Sequence, residues 1–195
     1  MALTVQGEAL TRNQAARRDR VIEAAIVLAS EGGYDAVQMR EVAATAHVAL
    51  GTIYRYFSSK DHLLAACQVE WSHQIEEDLA RRPPRGDSDA DRVVDVLRRA
   101  TRAQERNPRL TAALVTAITA PDPAVSECQR EMTESHQRFL SAAMHDIDEE
   151  RKDRVLRILA HVWIAALLAR VNNWQSDPDV GNELELAARA LLEPA

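Results

Sequence analysis

Apolar residues recur at helical spacing along almost the whole chain. Ile22, Ala25, Ile26 and Ala29 follow the i, i+3, i+4, i+7 pattern of one helix face, and later segments repeat that spacing. Glycine and proline are scarce, 6 and 7 in number, and most lie between these segments. The pattern predicts an all-α fold of about nine helices.

Two short helical segments stand out in the first third of the chain. They run from Gln38 to Ala46 and from about Ala49 to Phe57, and His47 lies in the short turn between them. Histidine is among the residues that tolerate the positive φ of a tight turn, so we predict that His47 takes it and is not a ligand. Two short helices joined in this way form a helix-turn-helix, whose second helix enters the DNA major groove. The residues at its N-terminus would meet base edges, and here they are Ala49, Leu50, Gly51 and Thr52.

The stretch GTIYRYFSSK, residues 51 to 60, continues this second helix into the next one. Ile53 and Phe57 are four apart and can anchor one face, while polar groups face outward. The side chains that offer hydrogen-bond donors are Thr52, Tyr54, Arg55, Tyr56 and Lys60, a set that suits a segment lying against a phosphate backbone. The same pattern also fits an ordinary amphipathic helix with tyrosines at its edge.

Arginines are concentrated just before the first predicted helix. Arg17 and Arg18 are the central pair of a group of four between Arg12 and Arg20. We predict that this group precedes the helix as a basic arm that reaches phosphates or a minor groove. A solvated basic face is the alternative.

The net charge of −6 is distributed unevenly. Residues 1–60 carry seven basic and six acidic side chains, whereas residues 61–195 carry seventeen and twenty-four. This asymmetry fits a nucleic-acid-binding head over residues 1–60 and a non-binding body over residues 61–195.

The longest wholly apolar run, Val162 to Ala169, has eight residues, and we expect it to be buried on every side. A membrane span needs about 20 residues, so no membrane association is predicted. The N-terminus is polar and resembles no secretory signal. Cys67 and Cys128 are isolated thiols, which indicates a reducing, cytoplasmic setting.

No motif for catalysis is found. The chain has no glycine-rich phosphate loop, no HExxH and no GxSxG, and its six histidines are scattered. We therefore predict no enzyme activity, no catalytic or metal-binding residues and no cofactor. A helical module that binds protein and not DNA remains the competing class of function.

Residues 22–64, IEAAIVLASEGGYDAVQMREVAATAHVALGTIYRYFSSKDHLL, resemble the DNA-binding domain of TetR-family transcriptional regulators. The resemblance implies a homodimer, formed by the last two helices, that binds a palindromic operator in double-stranded DNA. It adds Gln38 and Arg40 to the expected DNA contacts. His47 replaces the common turn glycine and Ala49 a common Ser or Thr, which removes a helix cap worth about 1 kcal/mol.

Further strings, among them QERNPRLT and HVWIAALLARV, are similar to the actinobacterial repressors of cholesterol catabolism. That similarity implies a repressor released by a small hydrophobic effector, such as a steroid or acyl-CoA intermediate of lipid breakdown. A regulator of another catabolic or efflux pathway is the alternative. The residues expected to line an effector site, each of which also suits plain core packing, are Met132, His136, Phe139, Trp163, Leu167 and Trp174.

Overall fold

The computed structural model describes residues 4–5, 8–9, 11–174 and 179–193. Over these ranges the chain consists of helices joined by short turns and loops, with one antiparallel pair of two-residue strands, β1 (Thr4–Val5) and β2 (Glu8–Ala9), so the all-α prediction is confirmed. The nine helices are α1 (Arg12–Ala36), α2 (Met39–Thr45), α3 (Leu50–Tyr56), α4 (Lys60–Arg81), α5 (Asp89–Glu105), α6 (Pro108–Ile118), α7 (Pro123–Ser141), α8 (Glu149–Val171) and α9 (Val180–Leu192).

The helices form two compact units, which do not follow the predicted boundary at residue 60. The first unit comprises Met1–Glu70 and Asn107–Gln129, and the second comprises Trp71–Arg106 and Arg130–Ala195. In the first unit α1 packs against α2, α3 and α6. In the second unit α9 packs against both α5 and α8. The assignment of DNA binding to residues 1–60 and of effector binding to residues 61–195 stays a prediction.

Helix α1 begins earlier than the sequence pattern indicated. The Thr11 side chain accepts a hydrogen bond from the Gln14 backbone, and the Gln14 side chain accepts one from the Thr11 backbone. This capping box satisfies N–H groups that a helix start otherwise leaves unpaired. The prediction that Arg17 and Arg18 belong to an arm before the helix is therefore wrong, because both lie within α1.

Helix α1 is interrupted near its end at the paired glycines Gly32 and Gly33. Gly33 has φ 71° and ψ −161°, a region that only glycine adopts without strain. Helical geometry resumes after it and ends at Ala36. Gly33 therefore turns the chain before α2.

Helix α8 contradicts one expectation about burial. Its buried residues include Leu159, Trp163 and Leu167, which form a single stripe. Ala165 is exposed and Val162 is only half-buried, although both belong to the run expected to be buried on every side. Complete burial needs neighbours all around a helix, and the described part of the second unit covers one side of α8.

The C-terminus of α8 is closed by a left-handed residue. Asn173 takes a left-handed φ of 52°, and the Trp174 N–H donates to the Ala169 carbonyl at 2.9 Å. This Schellman-type closure ends the helix at Val171 and places Trp174 outside it. Among the described residues, no helix is long and apolar enough to span a membrane.

Candidate functional site

The turn between α2 and α3 has the geometry that the sequence predicted. His47 has φ 53°, and its N–H donates to the Ala44 carbonyl at 3.2 Å. The Val48 N–H donates to the Ala43 carbonyl at 3.0 Å. These two bonds form a Schellman motif, in which the left-handed residue is usually glycine. The prediction that His47 takes the positive φ of the turn is confirmed, and α2 and α3 together form a helix-turn-helix.

Helix α3 starts without a side-chain cap. Ala49 occupies the N-cap position with extended backbone angles, φ −69° and ψ 143°, and its carbonyl accepts from the Thr52 N–H at 2.8 Å. Gln38 holds the same position before α2 and also makes no capping hydrogen bond through its side chain. Both short helices therefore depend on packing to keep their place.

The packing of α3 separates its two faces as predicted. Ile53 and Phe57 are 0% and 1% exposed, so they anchor the helix in the first unit. On α2, α3 and their N-cap positions, the residues expected to contact DNA that lie open to solvent are Gln38, Arg40, Ala49, Gly51, Tyr54 and Arg55. Leu50 and Thr52 are half-buried at the edge of this surface.

Tyr56 differs from the other predicted phosphate contacts because its side chain is 8% exposed. Its hydroxyl accepts a hydrogen bond from Arg55 Nη2 at 2.9 Å, and the Arg55 guanidinium lies 5.0 Å from the Tyr56 ring centroid. Tyr56 thus supports Arg55, and Arg55 is the member of the pair that is exposed.

Lys60, the first residue of α4, is held by Tyr34, which the sequence did not indicate as a functional residue. Its Nζ donates to the Tyr34 carbonyl at 3.2 Å and lies 3.6 Å from the centroid of the Tyr34 ring. The Tyr34 hydroxyl donates to Asp61 at 2.5 Å. Burial and the Asp61 hydrogen bond raise the pKa of Tyr34 to about 12, so the phenol stays protonated and keeps this bond.

Arg17 and Arg18 occupy different environments on α1. Arg17 is exposed, whereas the Arg18 guanidinium lies 5.6 Å from the Phe57 ring centroid. Because Phe57 is the residue that follows α3, Arg18 contributes a positive charge beside the end of that helix. Their proposed contact with DNA stays a prediction.

The start of α4 is fixed by a cap. Ser59 Oγ accepts from the His62 N–H at 3.0 Å and donates to Asp122 at 3.2 Å. The His62 ring accepts the Ser58 N–H at 3.1 Å and lies edge-on to Phe57. Burial lowers the pKa of His62, so its ring nitrogen is kept in the neutral form that can accept.

Three of the six predicted effector residues meet in the second unit. The His136 ring stacks on Trp163, with centroids 4.9 Å apart and planes 10° apart, and lies 5.2 Å from the Phe139 ring. Trp163 and Phe139 are each 4% exposed. An aromatic cluster of this kind can pack against a flat apolar ligand or can serve as core.

The other three predicted effector residues do not make these ring contacts. Leu167 is buried one turn beyond Trp163 on α8, and Met132 is half-buried one turn before His136 on α7. Trp174 is 68% exposed beyond the end of α8, so the structure does not place it in the interior.

Polar partners surround the aromatic cluster. His136 Nε2 lies 3.2 Å from Ser72 Oγ, and Trp163 Nε1 donates to Gln104 Oε1 at 3.3 Å. Burial lowers the pKa of His136 to about 4, so the ring is neutral near pH 7. The cluster is therefore uncharged, and His136 Nε2 and Trp163 Nε1 are paired with Ser72 and Gln104. Among the described residues, no group of His, Cys, Asp and Glu is placed to hold a metal ion.

Comparisons with known proteins agree with this layout. Residues 21–67 match the family model described as bacterial regulatory proteins, tetR family, and residues 86–191 match the Tetracyclin repressor-like, C-terminal domain. The chain is 37% identical over 193 residues to the HTH-type transcriptional repressor KstR of Rhodococcus jostii strain RHA1, covering 98% of this chain and 90% of that protein.

Two crystal structures show the same fold. A TetR transcriptional regulator from Rhodococcus sp. RHA1 superposes with a TM-score of 0.78 at 33% identity, over 93% of this chain and 98% of that one. Thermus thermophilus FadR, a repressor in complex with lauroyl-CoA, has a TM-score of 0.70 at 20% identity, over 89% of this chain and 92% of that one.

Proposed function

The chain belongs to the TetR family of transcriptional regulators, and on that premise we propose that it is a repressor released from its operator by a small hydrophobic effector. The observation that carries the proposal is the exposed face of α3, which follows a helix-turn-helix turn and is anchored by Ile53 and Phe57. Regulators of this family are generally not enzymes.

In the complex with DNA, the start of α3 contacts bases and its end contacts phosphates. Ala49, Gly51 and Thr52 meet base edges, where small side chains allow close approach and methyl groups can touch thymine. Tyr54 and Arg55 contact phosphates, and Lys60 at the start of α4 contacts a phosphate as well. Arg17, Gln38 and Arg40 extend the contact surface along the backbone.

The operator is palindromic and the protein binds it as a homodimer. TetR regulators act as dimers, and one two-fold axis in the protein requires two symmetric half-sites in the DNA. Equivalent α3 helices must then lie one or more helical turns apart, about 34–36 Å or a multiple of it. The exposed apolar residues Ala165 on α8 and Leu186 on α9 support contact between the two copies through these helices.

The effector is a steroid or an acyl-CoA intermediate of cholesterol or lipid catabolism. The KstR relatives are cholesterol-catabolism repressors of actinobacteria, and a more distant member of the fold was crystallised with lauroyl-CoA. Within this chain, the stacked His136 and Trp163 rings and the neighbouring Phe139 support an apolar, partly planar ligand with one or two polar atoms. Met132 and Leu167 extend the same two helix faces.

Release from DNA follows from differential binding. An effector shifts the protein towards the state that cannot span two half-sites only if it binds that state more tightly. A coupling of about 3 kcal/mol would reduce operator affinity roughly a hundredfold. We infer a cytoplasmic location, because a repressor acts where its operator DNA lies.

The proposal is tested by selecting duplexes from a random-sequence pool with the full chain and then titrating candidate effectors. We expect a palindromic sequence to be enriched, and a steroid acyl-CoA to release it at concentrations where lauroyl-CoA and free CoA do not. Release by lauroyl-CoA alone, or by neither of the two acyl-CoA compounds, would exclude a steroid as the effector. Enrichment of no sequence, with DNA binding insensitive to salt, would favour the protein-interaction module.

The aromatic cluster provides the matched variants for the effector titration. Phe139→Leu keeps apolar volume but removes the ring, so it should weaken effector release while operator affinity without effector stays the same. Leu159→Met, a change at a fully buried position of the same unit, controls for general softening of the core.

A further inference from the structure

Lys60 is exceptional in the composition of this chain. Of 24 basic residues only two are lysines, Lys60 and Lys152. Arginine serves everywhere else, including the exposed surface of α3. A lysine side chain has a compact ammonium on a flexible stem, and it loses much rotamer freedom when a contact fixes it. At Lys60 the structure shows how that freedom is already restricted.

The last turn of α1 supplies the acceptor for Lys60. Gly33, at φ 71° and ψ −161°, breaks the helical path, and the Gln38 N–H then donates to the Ala36 carbonyl at 3.0 Å. In a continuous helix that N–H would have bonded to Tyr34. The Tyr34 carbonyl instead accepts the Val37 N–H at 3.3 Å and the Lys60 ammonium at 3.2 Å.

The Tyr34 side chain supplies the second restraint. Its ring centroid lies 3.6 Å from Lys60 Nζ, a cation–π contact, and its hydroxyl is bound by Asp61. Lys60 and Asp61, the first two residues of α4, therefore contact the ring face and the hydroxyl of Tyr34. An ammonium has three N–H donors, and the carbonyl takes one of them, so others can reach a phosphate.

We propose that Tyr34 is a positioning residue of the DNA interface, which holds the Lys60 ammonium in place before a phosphate arrives. The inference rests on the proposed function for its biological meaning. It goes beyond that function because Tyr34 itself touches no DNA and acts only through Lys60. Fixing the ammonium in the free protein lowers the ordering cost of the phosphate contact.

A double-mutant cycle on DNA affinity separates positioning from a structural role. The probe is a fluorescent duplex enriched from a random pool by the wild-type full chain. Tyr34→Leu should weaken binding about two- to fivefold, the value of an exposed cation–π contact. Lys60→Gln should weaken it and lower the salt slope by about one.

The decisive variant combines Tyr34→Leu with Lys60→Gln. If Tyr34 acts through Lys60, the double variant binds no worse than Lys60→Gln alone. If Tyr34→Leu costs the same factor in both backgrounds, Tyr34 has an independent structural role and the proposal is overturned. Tyr34→Phe keeps the ring and the carbonyl, so it should bind within about twofold of wild type. Lys152→Gln, the other lysine, is the matched control and should change nothing.

A measurement on the unsubstituted protein covers the case in which Tyr34→Leu does not fold. With lysine labelled at ¹³Cε, the chain gives two signals, from Lys60 and Lys152. The Lys60 signal should be shifted upfield by the Tyr34 ring in the free protein and should move again when the duplex is added. A Lys60 signal at the position of a free side chain would overturn the proposal. If the pool yields no duplex, the proposed function fails, while the free-protein shift still tests the contact.

Discussion

Helices α3 and α8 each leave one side open to solvent, but the two surfaces differ in kind. On α3 the exposed residues alternate small and polar groups, such as Gly51, Tyr54 and Arg55, over two buried anchors. On α8 the open side passes through an eight-residue run with no polar side chain, and Ala165 lies in its middle. The first surface suits a charged, hydrated polymer, and the second suits another apolar protein surface.

This comparison separates two kinds of solvent exposure. Tyr54 is 53% exposed on a helix that also exposes Arg55, whereas Leu186 is 68% exposed on α9, a helix that packs against α8. Single exposed leucines are common on protein surfaces, but in the dimer proposed above through α8 and α9 the second copy would cover Leu186. Tyr54 needs no such cover, since its hydroxyl can bind water or phosphate.

The largest expected effect comes from placing a charge on the apolar surface. Leu186→Glu should dissociate the dimer, because two unpaired carboxylates would be buried at a symmetric interface. A penalty of about 3 kcal/mol or more corresponds to at least a hundredfold weaker dimer. Analytical ultracentrifugation across a concentration series measures the change.

The matched control for this charge lies on α1. Val27 is 47% exposed in the first unit, so Val27→Glu introduces the same charge at another open apolar position. It should leave the dimer intact. If Leu186→Glu sediments like wild type, or if both variants dissociate equally, the assignment of α8 and α9 to the dimer is wrong.

The buried side of α8 provides a smaller effect that depends on pH. Burial lowers the pKa of His136 to about 4, while an unfolded chain would protonate this histidine near 6.5. Between these values the unfolded state binds more protons, so the free energy of unfolding falls as pH drops. The loss is about 2 kcal/mol by about pH 5 and approaches about 3 near pH 4.

Urea unfolding at about pH 7 and about pH 5 measures this loss, in a window above the range where most carboxylates titrate. His136→Gln should remove most of the difference between the two curves. His161→Gln, at an exposed position of α8, should keep it. An unchanged pH dependence in His136→Gln would show that His136 is protonated in the folded state or is not buried.

Local rules explain why much of the DNA-binding half could be predicted from sequence. His47 tolerates the left-handed turn, and the four-residue spacing of Ile53 and Phe57 predicts the buried side of α3. The start of α1 could also have been predicted, because Thr11 and Gln14 have the spacing of a capping box. Each of these signals lies within four residues of chain.

Contacts between distant residues account for what could not be predicted. Tyr34 meets Lys60 across 26 positions, and Trp163 meets His136 across 27, so neither pairing has a local signal. The open side of α8 was mispredicted for a related reason. The apolar run predicts that α8 will be covered, but it does not indicate whether the same chain or another copy covers the helix.

The smallest expected effect concerns the polar surface of α3. Arg55→Gln removes one positive charge beside Tyr56 while keeping a hydrogen-bonding side chain. The salt slope of DNA binding should fall by about one, equally for enriched and random duplexes, because a phosphate contact carries no sequence information. Arg102→Gln, an exposed arginine of α5 in the second unit, is the matched control and should leave the slope unchanged. Loss of discrimination between duplexes at constant slope would instead assign Arg55 to a base, and the division of α3 into a base-reading start and a phosphate-binding end would have to be redrawn.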